Sequence, residues 1–110
     1  MFVTIAQINP TAGDFAGNLK KILSCYEQAV QDVADILVLP EMALSAYPVE
    51  DLVLKEDFIA ANQAAIDKLA EVTKSSQTAI LLGSLLIEDR LIYNAAFFIT
   101  EGKVTNIIKK

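Results

Sequence analysis

Glu41 is the first residue of this sequence that could carry chemistry, because its carboxylate directly follows the apolar residues 36–39 and Pro40. A short, wholly apolar segment is typical of a strand buried on both faces in a sheet covered by helices. In open α/β sheets, functional sites collect at the carboxyl ends of strands. A partly desolvated Glu at such an end could act as a general base. The alternative is that Glu41 opens a loop and faces water.

Three further polar residues lie where they could support such a carboxylate. Tyr47 precedes Pro48, which favours an extended backbone, so its ring could wall a pocket and its hydroxyl could face a ligand. Lys109 and Lys110 end a strand pattern, and a Lys near a carboxylate could stabilise an oxyanion. The alternatives are a packed loop anchor for Tyr47 and a solvated basic end for the two lysines.

Two other residues fit structural roles better. Cys25 lies near the edge of the apolar stripe of a predicted helix, which favours an inert structural thiol. Asn94 is a polar residue inside a predicted strand, where hydrogen bonding to backbone is the expected role.

The composition excludes several classes of site. The sequence has no His and one Cys, so these residues hold no Ser-His-Asp triad, no His-ligated metal and no internal disulfide. The net charge is −5 and the nine basic residues are scattered, so we expect no nucleic-acid partner. Apolar runs are too short to cross a bilayer and no signal peptide is visible, so we expect no membrane partner and a cytoplasmic location.

The pattern along the chain predicts an α/β fold with the order β-α-β-α-β-β-β. The predicted strands are residues 2–8, 36–39, 79–87, 91–99 and 104–108. The first helix follows an N-cap at Asp14, and its expected inner face is Leu19, Ile22, Leu23, Tyr26, Ala29, Val30 and Val33. The second covers residues 58–74, with Ile66, Leu69 and Thr73 inside, and residues 41–54 form a loop or broken helical turn.

About five strands and two helices leave one face of the predicted sheet without cover. An apolar sheet face of this kind requires a partner or more chain. We therefore expect residues 1–110 to be part of a larger domain.

Four motifs, which occur along the chain in the order found in the family, resemble those of the nitrilase superfamily of carbon–nitrogen hydrolases. They are residues 5–14 with Gly17-Asn18, Leu39-Pro40-Glu41, Tyr93-Asn94-Ala95-Ala96 and, more narrowly, residues 46–52. The last segment is similar to a loop in the glutaminase domain of glutamine-dependent NAD synthetases. The resemblance spans essentially the whole chain. It implies that residues 1–110 are the N-terminal part of an α-β-β-α sandwich, a partial glutaminase domain.

The resemblance also implies roles for individual residues. A Glu-Lys-Cys triad hydrolyses an amide in this family, so Glu41 would be the general base. Lys110, or alternatively Lys109, would be the triad lysine, and Tyr47 would lie beside the substrate. The family's nucleophilic Cys lies beyond residue 110, so Cys25 is not that residue and the 110-residue chain alone is expected to be inactive.

The substrates implied by the resemblance are those of a complete synthetase. They are glutamine, deamido-NAD and ATP, with ATP and Mg²⁺ bound by a synthetase domain outside these residues, and the family tends to form homo-oligomers. Two alternatives stay open: a free-standing hydrolase of small ω-amides, and a non-catalytic α/β module that dimerises through its uncovered sheet.

Overall fold

The structure, a computed structural model, describes residues 1–46, 56–89 and 91–109. Its elements, in chain order, confirm the predicted sequence of strands and helices. They are β1 (Val3–Ile5), α1 (Phe15–Gln31), β2 (Ile36–Val38), α2 (Glu56–Val72) with a 3-10 turn (Thr73–Ser75), β3 (Ala79–Glu88), β4 (Leu91–Thr100) and β5 (Lys103–Lys109).

The described strands form one five-stranded sheet in the order β1-β2-β3-β4-β5. The first three are parallel, with Thr4 beside Leu37 and Leu37 beside Ile80. The β3–β4 and β4–β5 pairs are antiparallel hairpins, in which Gly83 lies beside Ala96. Parallel pairing requires crossover connections, which α1 and α2 supply, whereas hairpins need only tight turns.

The edge strand β1 is shorter than the predicted strand over residues 2–8. Its ladder partner β2 has three residues, and the pairing closes where the Ala6 amide donates to the Val38 carbonyl oxygen at 3.0 Å. Without a ladder beyond that point, the chain leaves the sheet toward the loop that precedes α1.

Both helices pack on the same face of the sheet. Leu37, Ile80 and Ile99 point to this face and are fully buried. The helices supply the other side of the core through Ile22, Tyr26, Ala29, Ala65, Ile66, Leu69 and Ala70. This single cluster holds β2 and β3 in place, and therefore sets where the chain leaves the end of β2.

The start of α1 agrees with the prediction. The Asp14 carboxylate accepts a hydrogen bond from the Gly17 amide at 3.0 Å, as an N-cap residue does. Of the predicted inner face, Ile22, Tyr26 and Ala29 are buried.

The end of α1 corrects the prediction for Val33. That residue lies beyond the helix, with φ at 56° and a relative exposure of 81 %. The Val33 amide donates to the Val30 carbonyl and the Ala34 amide to the Ala29 carbonyl, which is the Schellman pattern. The left-handed residue of this motif turns the chain away from the helix axis, so Val33 leaves the apolar stripe.

The second helix begins two residues earlier than predicted and keeps the predicted inner face. Ile66, Leu69 and Thr73 are buried, and Thr73 belongs to the 3-10 turn that follows the helix. The Thr73 hydroxyl oxygen accepts a hydrogen bond from the Gly102 amide at 2.9 Å, which ties α2 to the β4–β5 turn.

The sheet face opposite the helices is apolar and exposed in the described part of the chain. Val3, Ile5 and Ile108 on this face are 44, 72 and 67 % exposed. This confirms the expected lack of cover.

A bilayer-spanning helix, long and apolar enough to cross, does not occur among the described residues.

Candidate active site

Glu41 lies where the central parallel strand leaves the sheet. The Leu39 amide still donates to the Leu81 carbonyl oxygen at 2.9 Å, one residue beyond β2. Pro40 follows and has no amide hydrogen, so the ladder ends there. Glu41 thus follows the carboxyl end of a strand, as predicted, and the structure adds that this strand has a parallel neighbour on each side.

Residues 41–46, which we call the Glu41 turn, form a closed loop of backbone. The Ala46 amide donates to the Met42 carbonyl oxygen at 2.8 Å. Met42 and Ala46 both have φ at 57°, in the left-handed region that non-glycine residues rarely adopt. Residues 42–45 are buried, whereas Glu41 is exposed. The turn is thus anchored in the protein while its first side chain stays accessible.

Gly83 in β3 lies directly beneath Glu41. A Cβ atom built on Gly83 would be 2.9 Å from the Glu41 Cα atom and 3.4 Å from its Cγ atom. Any residue larger than glycine would therefore displace the backbone of Glu41. The contact is on the helix-free face, because the adjacent Leu82 and Ser84 point toward the helices.

Asn18, in the first turn of α1, holds the other end of the Glu41 turn. Its side chain is fully buried, and its amide nitrogen donates to the Leu44 carbonyl at 2.7 Å and to the Thr11 carbonyl at 2.8 Å. Its amide oxygen accepts from the Thr11 backbone amide at 2.8 Å. One side chain thus joins α1, the loop before it and the Glu41 turn.

A small apolar cluster packs the Glu41 turn against the starts of the helices. Met42 contacts Phe58 of α2 and Leu85 of β3, and Phe15 of α1 packs beside them. The Phe15 and Phe58 rings meet edge to face, with centroids 4.9 Å apart. Aromatic pairs prefer this geometry, so the cluster stabilises the turn beyond simple burial.

The partial desolvation expected for Glu41 stays a prediction. Its backbone packs on Gly83 and the rest of the turn is buried, but its own side chain is exposed.

Lys109 interacts with Glu88 and with the ring of Tyr93. Its Nζ atom lies 2.6 Å from the Glu88 carboxylate oxygen Oε1 and 4.9 Å from the centre of the Tyr93 ring. The hydrogen bond to Glu88 is the main cause of a raised pKa for the Lys109 ammonium group. Lys109 is opposite Ala95, which is buried against the helices.

The sheet register separates Lys109 from Glu41. The row formed by Gly83, Ala96 and Ile108 crosses three strands on the face where Gly83 contacts Glu41. Lys109 follows Ile108 and, by strand alternation, points to the opposite face. The structure therefore does not bring Lys109 to Glu41.

The other two predicted site residues, Tyr47 and Lys110, lie outside the described residues.

Cys25 is half-buried on α1 and packs against the main core, in agreement with a structural thiol. Asn94 is exposed in β4, opposite Leu85. In the described ranges, no three metal-ligating side chains come together.

Sequence reasoning included Asn18 in a family motif without giving it a role and did not single out Gly83, although both left a signal. Asn18 precedes Ile22 and Tyr26 by four and eight residues, so it lies on the buried helix face despite being polar. Gly83 interrupts an apolar strand, which often marks close approach of another backbone.

Comparisons with known proteins agree on one family. The family profile described as "Carbon-nitrogen hydrolase" matches residues 2–110. The glutamine-dependent NAD(+) synthetase of Thermotoga maritima is 39 % identical over 98 % of this chain and 19 % of its own length. The corresponding protein of Aquifex aeolicus is 36 % identical over the same shares. This chain therefore spans about a fifth of the length of these curated relatives.

Solved structures share the fold. The glutamine-dependent NAD+ synthetase of Acinetobacter baumannii superposes with a TM-score of 0.87 and 28 % identity, covering 98 % of this chain and 20 % of that one. An amidase from Nesterenkonia sp. superposes with a TM-score of 0.84 at 18 % identity, covering 98 % of this chain and 41 % of the amidase.

Proposed function

We propose a function from one premise: this chain belongs to the carbon-nitrogen hydrolase family, and the curated relatives it matches are glutamine-dependent NAD synthetases. The chain forms the N-terminal portion of a glutaminase domain. In the complete enzyme this domain hydrolyses glutamine and supplies ammonia for the ATP-dependent amidation of deamido-NAD. The observation that carries the proposal is the position of Glu41 at the carboxyl end of the central parallel strand, on an anchored turn.

In this mechanism Glu41 is the general base. Its carboxylate accepts the proton of a cysteine thiol supplied by the remainder of the domain, and the thiolate attacks the carboxamide carbon of glutamine. As the tetrahedral intermediate collapses, the protonated Glu41 gives that proton to the carboxamide nitrogen, which leaves as ammonia, and a thioester remains. Water then hydrolyses the thioester to glutamate and restores the thiol. The exposure of the Glu41 side chain fits this role, because the thiol must reach it from outside the described elements.

The lysine of the triad is Lys110 rather than Lys109. Lys109 is paired with Glu88 on the helix-facing side of the sheet, whereas Glu41 is seated on Gly83 on the other side. An ammonium group stabilises the tetrahedral oxyanion only if it is within hydrogen-bond reach of it. The pairing of Lys109 with Glu88 on the helix-facing side therefore argues against Lys109 and leaves Lys110, the lysine that the family resemblance implies.

The remaining assignments extend the same proposal. Tyr47 lines the glutamine pocket, one residue after the Glu41 turn. ATP and Mg²⁺ belong to the synthetase part of the complete enzyme, and this chain contributes no ligand to them. We place the enzyme in the cytoplasm as a homo-oligomer. The chain alone is inactive in this proposal, because Cys25 packs against the main core and the nucleophilic cysteine belongs to the remainder of the domain.

The proposal is tested by Glu41→Gln in the full-length enzyme. We expect glutamine hydrolysis to fall by about 10³-fold or more, since the variant removes the base that activates the nucleophile. Synthesis of NAD from deamido-NAD and added ammonia should remain, because it bypasses the glutaminase site. Both rates are measured on the same preparation.

Glu71→Gln is the matched control, because Glu71 is an exposed Glu on α2. It should retain both activities. Loss of both activities in Glu41→Gln, or of neither, contradicts the proposal. A wild-type enzyme that hydrolyses small ω-amides but makes no NAD would instead indicate the free-standing hydrolase.

A further inference from the structure

We propose that Gly83 and Asn18 are positioning residues that fix the Glu41 turn on the sheet and thereby place the Glu41 carboxylate. Neither residue touches the reacting atoms, and each acts through the backbone of the turn. The inference rests on the proposed role of Glu41 as general base, and it adds the two contacts on which the geometry of that base depends.

The contact at Gly83 sets the height of Glu41 above the sheet. A Cβ atom at position 83 would lie 2.9 Å from the Glu41 Cα atom, 3.4 Å from Cγ and 3.5 Å from the backbone nitrogen. Two of these are backbone atoms, which cannot rotate away as the end of a side chain can. A methyl group at position 83 therefore has to push Glu41 outward.

The hydrogen bond from Asn18 fixes the position of the end of the turn that lies away from Glu41. Asn18 is fully buried and its amide nitrogen donates to the Leu44 carbonyl at 2.7 Å. The Gly13 amide donates to the Ser45 carbonyl at 3.1 Å, from the same loop that Asn18 holds through Thr11. Because the far end is held in this way, the turn cannot slide as a whole when Glu41 is pushed.

The backbone of the turn shows that these contacts hold it against a local preference. Met42 and Ala46 are both in the left-handed region, at φ 57°. Such conformations persist where the surrounding structure over-determines them, and they cluster at functional sites. A clash at position 83, or loss of the Asn18 hydrogen bonds, should therefore change the backbone of the turn, and Glu41 would move with it.

The kinetic consequence follows from how proton transfer depends on distance. Displacement of a catalytic group by about 1 Å can lower the rate by about 10²-fold. A shift of a few tenths of an ångström or more at Glu41 should therefore lower kcat for glutamine without comparable loss of glutamine binding. It should also alter the acidic limb of the pH profile of kcat/KM, since that limb reports the base in the free enzyme.

The test uses Gly83→Ala and Asn18→Ala in the full-length enzyme. We expect glutamine kcat per folded molecule to fall by about tenfold or more in each, with KM changed by less than about threefold and ammonia-dependent synthesis retained. The acidic limb of the pH profile should shift. Thermal melting and circular dichroism give the folded fraction against which each rate is normalised.

Two controls remove buried hydrogen bonds of similar kind away from the Glu41 turn. Ser84→Ala changes the neighbour of Gly83, on the opposite face, where the Ser84 hydroxyl donates to the Asn62 side-chain oxygen at 3.3 Å. Tyr26→Phe removes the hydrogen bond from the Tyr26 hydroxyl to the Thr78 carbonyl, at 2.8 Å, from the same helix as Asn18. Both should lower the melting temperature but keep the wild-type kcat and pH profile.

The outcomes separate this inference from the proposed function. If Glu41→Gln still hydrolyses glutamine, the proposed function fails. If Glu41→Gln is inactive while Gly83→Ala and Asn18→Ala behave like the controls, the positioning inference alone is overturned. Should one positioning variant fail to fold, the kcat and pH profile of the other decide the question.

Discussion

Glu41 is exposed, although the turn that it begins is buried. The residues that follow it, Met42 to Ser45, are buried, while the Glu41 side chain is exposed. A general base must combine a fixed position with access to the proton it takes. For the proposed role of Glu41 as general base, the anchored turn supplies the first requirement and the exposure of Glu41 supplies the second.

Adjacent lysines at the end of β5 provide a test at the scale of single residues. Lys110→Met in the full-length enzyme should lower glutamine hydrolysis by about 10²-fold or more, since loss of one oxyanion-stabilising group costs this much in other enzymes. Lys109→Met should leave the rate within about twofold, because Lys109 is paired with Glu88 on the other face. The two rates are compared at saturating glutamine. The reverse order of effects would assign the triad lysine to position 109.

At the scale of elements, the two ends of α1 differ in how well their residues suit their positions. Asp14 is a favourable N-cap and accepts from the Gly17 amide. Val33, at the other end, occupies the left-handed position of a Schellman motif, where glycine is usual. A β-branched residue there is strained, and its side chain is 81 % exposed, so it gains little from packing.

Val33→Gly should therefore stabilise the protein. Relief of the left-handed strain is worth about 1–2 kcal/mol, and the extra freedom of glycine in the unfolded chain offsets about 0.5–1 kcal/mol. We expect a net gain of about 0.5–1 kcal/mol, measured by chemical denaturation. Val30→Gly is the control: Val30 lies within α1, where glycine costs about 1 kcal/mol relative to alanine. A loss of stability in both variants would contradict the strain argument.

At the scale of the whole molecule, the main feature is the sheet face opposite the helices. Val3, Ile5 and Ile108 on that face are exposed. Valine and isoleucine are among the residues most often buried in folded proteins. The chain spans about a fifth of its curated relatives. We expect the rest of the domain to cover this face in the full-length enzyme, as the second sheet of the sandwich.

A pair of substitutions tests that expectation. Ile5 and Val33 are exposed to a similar extent here, at 72 and 81 %. In the full-length enzyme, Ile5→Asn should cost roughly 3 kcal/mol, because it would bury an amide in place of an apolar side chain. Val33→Asn should be neutral or stabilising, because asparagine tolerates the left-handed region. Equal, small effects in denaturation experiments would show that the Ile5 face stays open to solvent or meets a weakly bound partner.

What the sequence by itself determined was local. The order of strands and helices, the Asp14 cap, the buried faces of both helices and the position of Glu41 after a buried strand all followed from residue periodicity and turn chemistry, which act over a few residues. The length of β1 and the path of the chain after α1 did not follow from these local patterns. They depend on which backbone groups form hydrogen bonds with residues that are distant in the sequence. The tertiary structure alone decided three matters: that Gly83 lies under Glu41, that Asn18 holds the far end of the turn, and that Lys109 faces away from the site. Each of these arrangements involves residues that are far apart in the chain. Packing and strand register determine such contacts, and a local sequence pattern carries no information about them.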